Sequence, residues 1–160
     1  MYLNNQQVQT LIDMARTKTR SGLTADLSGL MFNNADCHDI DFSDCDLTGC
    51  DFHGANLDHC DFTNSTLDDA NFEFAHMKDV TLFRASLTGT NLNGAFLIYS
   101  DFTLVNLLNA KWDSITVTGS QNIEESDDFK AIYPDSAGTV VLARSSWLKL
   151  LVSQASQSEN

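Results

Sequence analysis

From Ala25 to Gly119 an apolar residue recurs at every fifth position, without one insertion or deletion. In fives the run reads ADLSG, LMFNN, ADCHD, IDFSD, CDLTG, CDFHG and so on to AKWDS and ITVTG, 19 units in all. The middle residue of every unit is apolar, Cys37 included. The first is Ala, Cys, Ser or Thr in 14 units and Leu, Ile or Val in the other five; the second is Asp or Asn in 11. Neither a helix, at about 3.6 residues per turn, nor a strand, at about two, produces this spacing. A chain that turns a corner every five residues does. Its first and middle residues point inward, small ones letting adjacent walls approach and large ones filling the centre. Asp and Asn at the second position suit a corner, because their side chains bond nearby backbone N–H groups.

The pattern A-[DN]-[LF]-x-x resembles that of the pentapeptide-repeat family and runs through 95 of the 160 residues. The resemblance implies an all-β solenoid, a right-handed quadrilateral β-helix with four units per coil. Residues 20 apart then stack, and the middle residues sort themselves into columns. One column holds Leu27, Leu47, Leu67, Leu87 and Leu107; the next holds Phe32, Phe52, Phe72, Leu92 and Trp112. The third mixes Cys37, Leu57, Met77, Leu97 and Val117, and the fourth is Phe42, Phe62, Leu82 and Phe102. Such a run makes about 4.75 coils, a rod of roughly 23 Å at the spacing of paired strands.

A solenoid has two open ends and needs caps. Residues 1–24 read as an N-terminal helical cap: within 5–16, Val8, Leu11, Ile12 and Ala15 follow the i, i+3, i+4, i+7 spacing, with Asn4 or Asn5 as N-cap. Residues 25–119 are the β-helix. Residues 120–160 read as an acidic loop with the only proline, Pro134, then an apolar helix over Thr139–Ser153 and a frayed tail. Val140, Val141, Leu142, Ala143, Trp147, Leu148, Leu150, Leu151 and Val152 make that helix apolar on most sides, so it needs cover on more than one.

Candidate chemistry is sparse. Cys45, Cys50 and Cys60 fall at first positions and Cys37 at a middle one, so all four read as core fillers rather than metal ligands or disulfide partners. His38, His59 and His76 fall on the third wall. Stacking puts Asp39, His59 and Asp79 in one corner column and Asp58 above His38, a ladder of solvated charges that pair across strands. No nucleophile stands beside it, so no enzyme activity, metal or cofactor is expected.

Charge changes the picture more. Asp and Glu total 22 against nine Lys and Arg, a formal charge of −13. That argues against direct binding of nucleic acid or of an anionic membrane, which need clustered bases. No apolar run is long enough to span a bilayer, and residues 1–20 are too polar for a signal-peptide core, so a soluble, cytoplasmic protein is expected. Residues 25–79 carry 13 acids and one base, Lys78. Six of these acids are second residues; Asp39, Asp44, Asp58, Asp68, Asp69, Glu73 and Asp79 are surplus and outward. Asp39, Asp58, His59, Asp68, Asp69, Glu73 and Asp79 form the candidate partner surface. The expected function is a non-enzymatic protein-binding or scaffold module with a macromolecular protein partner. The alternative, implied by the resemblance, is an acidic DNA mimic that binds DNA gyrase or topoisomerase IV and modulates or protects it.

One more feature departs from the repeat. Phe74, Phe83, Phe96, Ile98, Tyr99, Leu104 and Leu108 occupy outward positions. Contiguous exposed apolar surface marks an interface. Phe83, Phe96, Ile98, Tyr99, Leu104 and Leu108, with Trp147, Leu148 and Leu151 of the apolar helix, form the candidate docking patch. That helix either folds back onto its own coil or reaches across to a second subunit; because it is apolar nearly all round, a homodimer through the C-terminal end is the favoured expectation.

Overall fold

The computed structural model describes residues 3–18, 24–112, 114–118 and 140–142. Helix α1 spans Asn5–Lys18. Asn4 opens it with a reciprocal cap: its Oδ1 accepts the Gln7 N–H at 3.0 Å, and its own N–H donates to Gln7 Oε1 at 3.0 Å. Val8 and Ile12 are fully buried, and Leu11 and Ala15 pack against the same core.

From Ala25 the chain winds so that each residue pairs with the one 20 further on. β1 (Ala25–Asp26) lies parallel to β2 (Cys45–Asp46). On the third wall β3 (His76–Lys78), β4 (Phe96–Ile98) and β5 (Ile115–Thr118) stack in parallel register, His76 on Phe96 on Thr116. Between these, single bridges such as Asp51↔Asn71 and Asp61↔Thr81 join the remaining walls. Strands are short because a corner interrupts them every five residues. Most corners share one form: the N–H of the first residue reaches back to the middle residue before it, as in Ala35 to Phe32 O at 2.9 Å. Each fifth residue, from Gly29 to Ser114, has a φ between 53° and 70°. A three-residue reach with positive φ at its third position is a type II turn, which favours Gly, Asn and Asp there.

First and middle residues line the interior. Phe32, Phe52 and Phe72 stack face to face with centroids 4.9 Å apart, and Phe42 on Phe62 at 5.0 Å. The two stacks meet edge to face at 5.7 to 6.1 Å, an arrangement favoured by the ring quadrupole. Buried polar first residues clasp the coil below: the Thr90 and Ser100 hydroxyls donate to Leu67 O and Met77 O at 3.0 and 2.6 Å.

The helix caps more than side chains. In the second coil, the carbonyls of Asp58, Asp61 and Thr63 accept N–H groups from the coil beneath. Their equivalents in the first coil, His38, Asp41 and Ser43, have no coil beneath. Asn5 Nδ2 donates to His38 O at 2.6 Å, and Arg16 Nη2 to Asp41 O and Ser43 O at 3.0 and 3.2 Å. The plug thus satisfies edge backbone as well as covering core.

The other end corrects the expectation of a helix beginning at Thr139. Val140–Leu142 is a strand, β6, antiparallel to β5 with Val141 opposite Thr116. β5 leaves a row of unpaired backbone groups on its outer edge, and two adjacent β-branched valines suit a strand that covers it. Pairing with that edge outweighs the local apolar pattern. The acidic loop, the helix range beyond Leu142 and the tail lie outside the described residues.

Candidate binding surface

Where the second residue of a unit is Asp or Asn, it builds the corner chemistry. Asp26, Asp41, Asp46, Asp51, Asp61 and Asp101 each accept, through Oδ1, the N–H two residues on, at 2.8 to 3.0 Å. Asn56, Asn71 and Asn91 do the same at 3.2 Å. On the second wall the side chains also bond coil to coil, Asn91 Nδ2 to Asn71 Oδ1 at 3.1 Å and Asn71 Nδ2 to Asp51 Oδ1 at 2.9 Å.

The seven residues of the expected partner surface form a band around the rod rather than one patch. Asp39, Asp58, His59 and Asp79 share the third wall and its corner; Asp68 and Asp69 belong to the first wall and Glu73 to the second. His59 Nδ1 lies 3.6 Å from Asp79 Oδ2, as the column predicts, and His53 Nδ1 lies 3.6 Å from Glu73 Oε2. Lys78 Nζ is 3.7 Å from the same Asp79 oxygen. His38 departs from the expected ladder. Its Nδ1 is 2.7 Å from Asp36 Oδ1 in its own unit, while Asp58 instead accepts the Lys78 N–H at 3.0 Å. The hydrogen bond to Asp36, then its charge, raises the His38 pKa, and the same bond lowers that of Asp36.

Several surplus acids have backbone reasons that sequence reasoning missed. Asp39, Asp44, Asp69 and Asp79 all stand at the positive-φ corner, where Asp is tolerated better than most side chains. The signal was present in the recurrence of Gly29, Gly49, Gly54, Gly89 and Gly94 at the same position. Asp68 accepts the Ser86 hydroxyl at 2.6 Å and the Thr88 N–H at 3.0 Å.

The apolar set divides. Tyr99, Leu104 and Leu108 are 59%, 55% and 50% exposed, and Phe96 is 36% exposed with its ring stacked on His76 at 4.9 Å. Ile98 and Phe83 are half-buried, and Phe83 carries the Arg84 guanidinium 4.9 Å above its ring. Trp147, Leu148 and Leu151 lie outside the described residues. All four cysteines are free and buried. Among the described residues no group of His, Cys, Asp and Glu is arranged to hold a metal ion, and no helix is long and apolar enough to cross a membrane.

The profile described as "Pentapeptide repeat region" matches residues 23–92, and that of "Pentapeptide repeats (8 copies)" matches 82–111. The chain belongs to the pentapeptide-repeat family. Its fold is accordingly the right-handed quadrilateral β-helix. Among solved pentapeptide-repeat structures, Rfr23 from the cyanobacterium Cyanothece 51142 is 28% identical, over 56% of this chain and 60% of that one, with a TM-score of 0.55. A protein of the Arabidopsis thaliana thylakoid lumen is 28% identical over 56% and 64% of the two chains, with a TM-score of 0.34. The plasmid-mediated fluoroquinolone resistance protein QnrB1 is 26% identical over 65% and 52%, with a TM-score of 0.39. The matches thus span 52% to 64% of the length of these three proteins. A comparison with curated protein sequences finds no match.

Proposed function

We propose that this pentapeptide-repeat rod is a non-enzymatic protein-binding module whose first coils present an acidic surface to a basic partner protein. One observation carries the reading. The corner bond is made by both Asp and Asn: Asp51 Oδ1 accepts the His53 N–H at 3.0 Å, and Asn71, next in the column, accepts the Glu73 N–H at 3.2 Å. Yet second positions from Asp26 to Asp61 use Asp six times and Asn once, whereas those from Asn71 to Asn106 use Asn three times and Asp once. The turn does not ask for charge. Charge follows position along the rod, even where Asp26 pairs with Asp46 and Asp41 with Asp61, like-charge neighbours that weaken a sheet. A retained self-repelling field fits recognition of the opposite charge.

The test compares proteins bound from extract of the source cell by the wild type and by an Asp39→Asn, Asp58→Asn, Asp79→Asn variant. Asn suits the positive-φ corners of Asp39 and Asp79, so the rod stays folded and the partner is lost. Equal retention would remove the acidic surface from the account. A narrower reading rests on the same carboxylates: the rod acts as a DNA mimic toward a type II topoisomerase. DNA gyrase supercoiling, with and without the protein and then with a fluoroquinolone present, decides it. No effect in either condition eliminates the mimic and leaves the general reading standing.

A further inference from the structure

The four histidines of the chain, His38, His53, His59 and His76, all lie in the acidic half of the rod. Lys78 is the only Lys or Arg between residues 25 and 79, so these rings are the other groups there that can turn cationic. Three of them stand at a carboxylate. His38 Nδ1 is 2.7 Å from Asp36 Oδ1, His53 Nδ1 is 3.6 Å from Glu73 Oε2, and His59 Nδ1 is 3.6 Å from Asp79 Oδ2. His53 with Glu73, and His59 with Asp79, are residues one coil apart, so the stacking of the coils itself holds ring and carboxylate together. Glu73 and Asp79 belong to the candidate partner surface, and Asp36 shares the third wall with Asp39 and Asp58.

Histidine is the side chain whose charge changes between pH 5 and 8. A ring 3.6 Å from a carboxylate is just beyond a hydrogen bond. As a cation it needs to close by less than about 1 Å to make a charge-assisted one of about 2.8 Å. A carboxylate so engaged is lost to a lysine or arginine of a partner. Other charges face the same rings. His38 also has Asp39 4.0 Å from its Nε2 and Asp58 in the next coil, while α1 beneath brings Asn5 to its carbonyl and sets Arg16 on Asp41. His53 has Asp51 in its own unit and the edge contact with Phe74. His59 stands between Asp39 and Asp79 in its column, opposed by Lys78, whose Nζ is 3.7 Å from the same Asp79 oxygen. We propose, resting on the acidic-surface reading, that His38, His53 and His59 gate that surface: once protonated they engage Asp36, Glu73 and Asp79 and weaken the hold on a basic partner. Residues 25–79 carry 13 acids and one base, so four protonated rings remove a third of their net negative charge. The bond to Asp36, then its charge, raises the His38 pKa, the direction that brings its protonation toward neutral pH.

The test measures binding of a fluorescent decalysine peptide to the full chain by anisotropy, at pH 7.5 and at pH 5.5, at one low ionic strength. Lysine stays charged and ordinary carboxylates stay ionised across that range. The wild-type affinity should fall about tenfold from the higher pH to the lower, three exposed ion pairs at their usual worth. In the variant His38→Gln, His53→Asn, His59→Asn the fall should shrink to about twofold, with His76 still titrating. Asn is the residue type of Asn33 and Asn93 in the His53 column, and of Asn64 at a positive-φ corner like that of His59, so the coil is kept. His53→Asn alone should give an intermediate fall. An affinity that does not change with pH in the wild type overturns the gate and leaves the acidic surface standing, as does an equal fall in wild type and both variants. No binding of decalysine at pH 7.5 overturns the acidic surface itself, and the gate with it.

Discussion

The ring of Phe74 lies against the backbone of Gly94, one coil on: a Cβ placed at Gly94 would sit 2.5 Å from Phe74 Cδ1 and Cε1. Phe74 itself holds φ at 58°, and its ring meets His53 edge to face at 5.7 Å. Gly94→Ala therefore meets two penalties, the positive φ and the ring. Gly49 shares the φ but has open space where its Cβ would go. Gly49→Ala should cost about 1–2 kcal/mol, the left-handed penalty alone, and Gly94→Ala more. Adding Phe74→Asn should bring the cost of Gly94→Ala back toward that of Gly49→Ala. A double-mutant cycle by chemical denaturation measures the coupling; a cycle with no coupling would refute the contact.

The core predicts a contrast between adjacent positions. Leu67 and Phe52 are fully buried in the column stacks, so truncating either to Ala should cost about 2–5 kcal/mol. Outward Thr48→Ala should change stability by less than about 0.5 kcal/mol. Equal losses at the three positions, by urea titration, would contradict the frame.

Burial makes the thiols inert. Desolvation pushes the Cys37 pKa up to about 12 and that of Cys50 up to about 11, and raises Cys60 and Cys45 as well. Cys50 and Cys60 also donate to Leu27 O and Cys37 O at 3.1 and 2.9 Å. The thiolate is the reactive form, so a thiol-reactive dye at neutral pH should label none of the four in the folded protein and all four in denaturant. Fast labelling of the folded protein would show that the first-position residues do not face inward.

These elements divide by how local their causes are. The five-residue period, the columns it generates, the plug on Val8 and Ile12 and the corner bonds of Asp and Asn all follow from residue spacing, which is written in the chain. The positive φ at each fifth residue was written more faintly, in the glycines that recur there, and without it Asp39, Asp44, Asp69 and Asp79 read only as surplus charge. His38 pairs with Asp36 two residues away because both stand outward on the same wall, a distance the column argument does not compare. β6 depends on the free edge of β5. A uniformly apolar stretch has no period to separate strand from helix, so that pairing was invisible from local pattern.

The His38–Asp36 pair gives a pH signature. The folded-state pKa of His38 is raised, so the stability it contributes is fully present below the ordinary histidine value of about 6.5 and fades as pH rises through the raised one. The pKa of Asp36 is lowered, so its contribution is present above the ordinary carboxylate value of about 4 and fades as pH falls through the depressed one. The melting temperature of His38→Gln should therefore fall below the wild type at pH 5.5 and approach it at pH 8.5. A gap that widens with pH would reverse the assignment.

The central claim is that the acids of the first coils are replaceable for folding and required for binding. Asp26, Asp46, Asp51 and Asp61 accept only backbone N–H groups or other neutral donors through their Oδ1 atoms, as Asn71 and Asn91 accept them in later coils. Changing all four to Asn removes four charges and keeps the corner bonds. The decisive measurement is the affinity of this variant for the captured partner, taken beside its melting temperature. The account predicts an unchanged or slightly higher melting temperature, as self-repulsion falls, with binding lost and the wild-type affinity falling steeply with salt. A variant that melts like the wild type and binds like it would contradict the account.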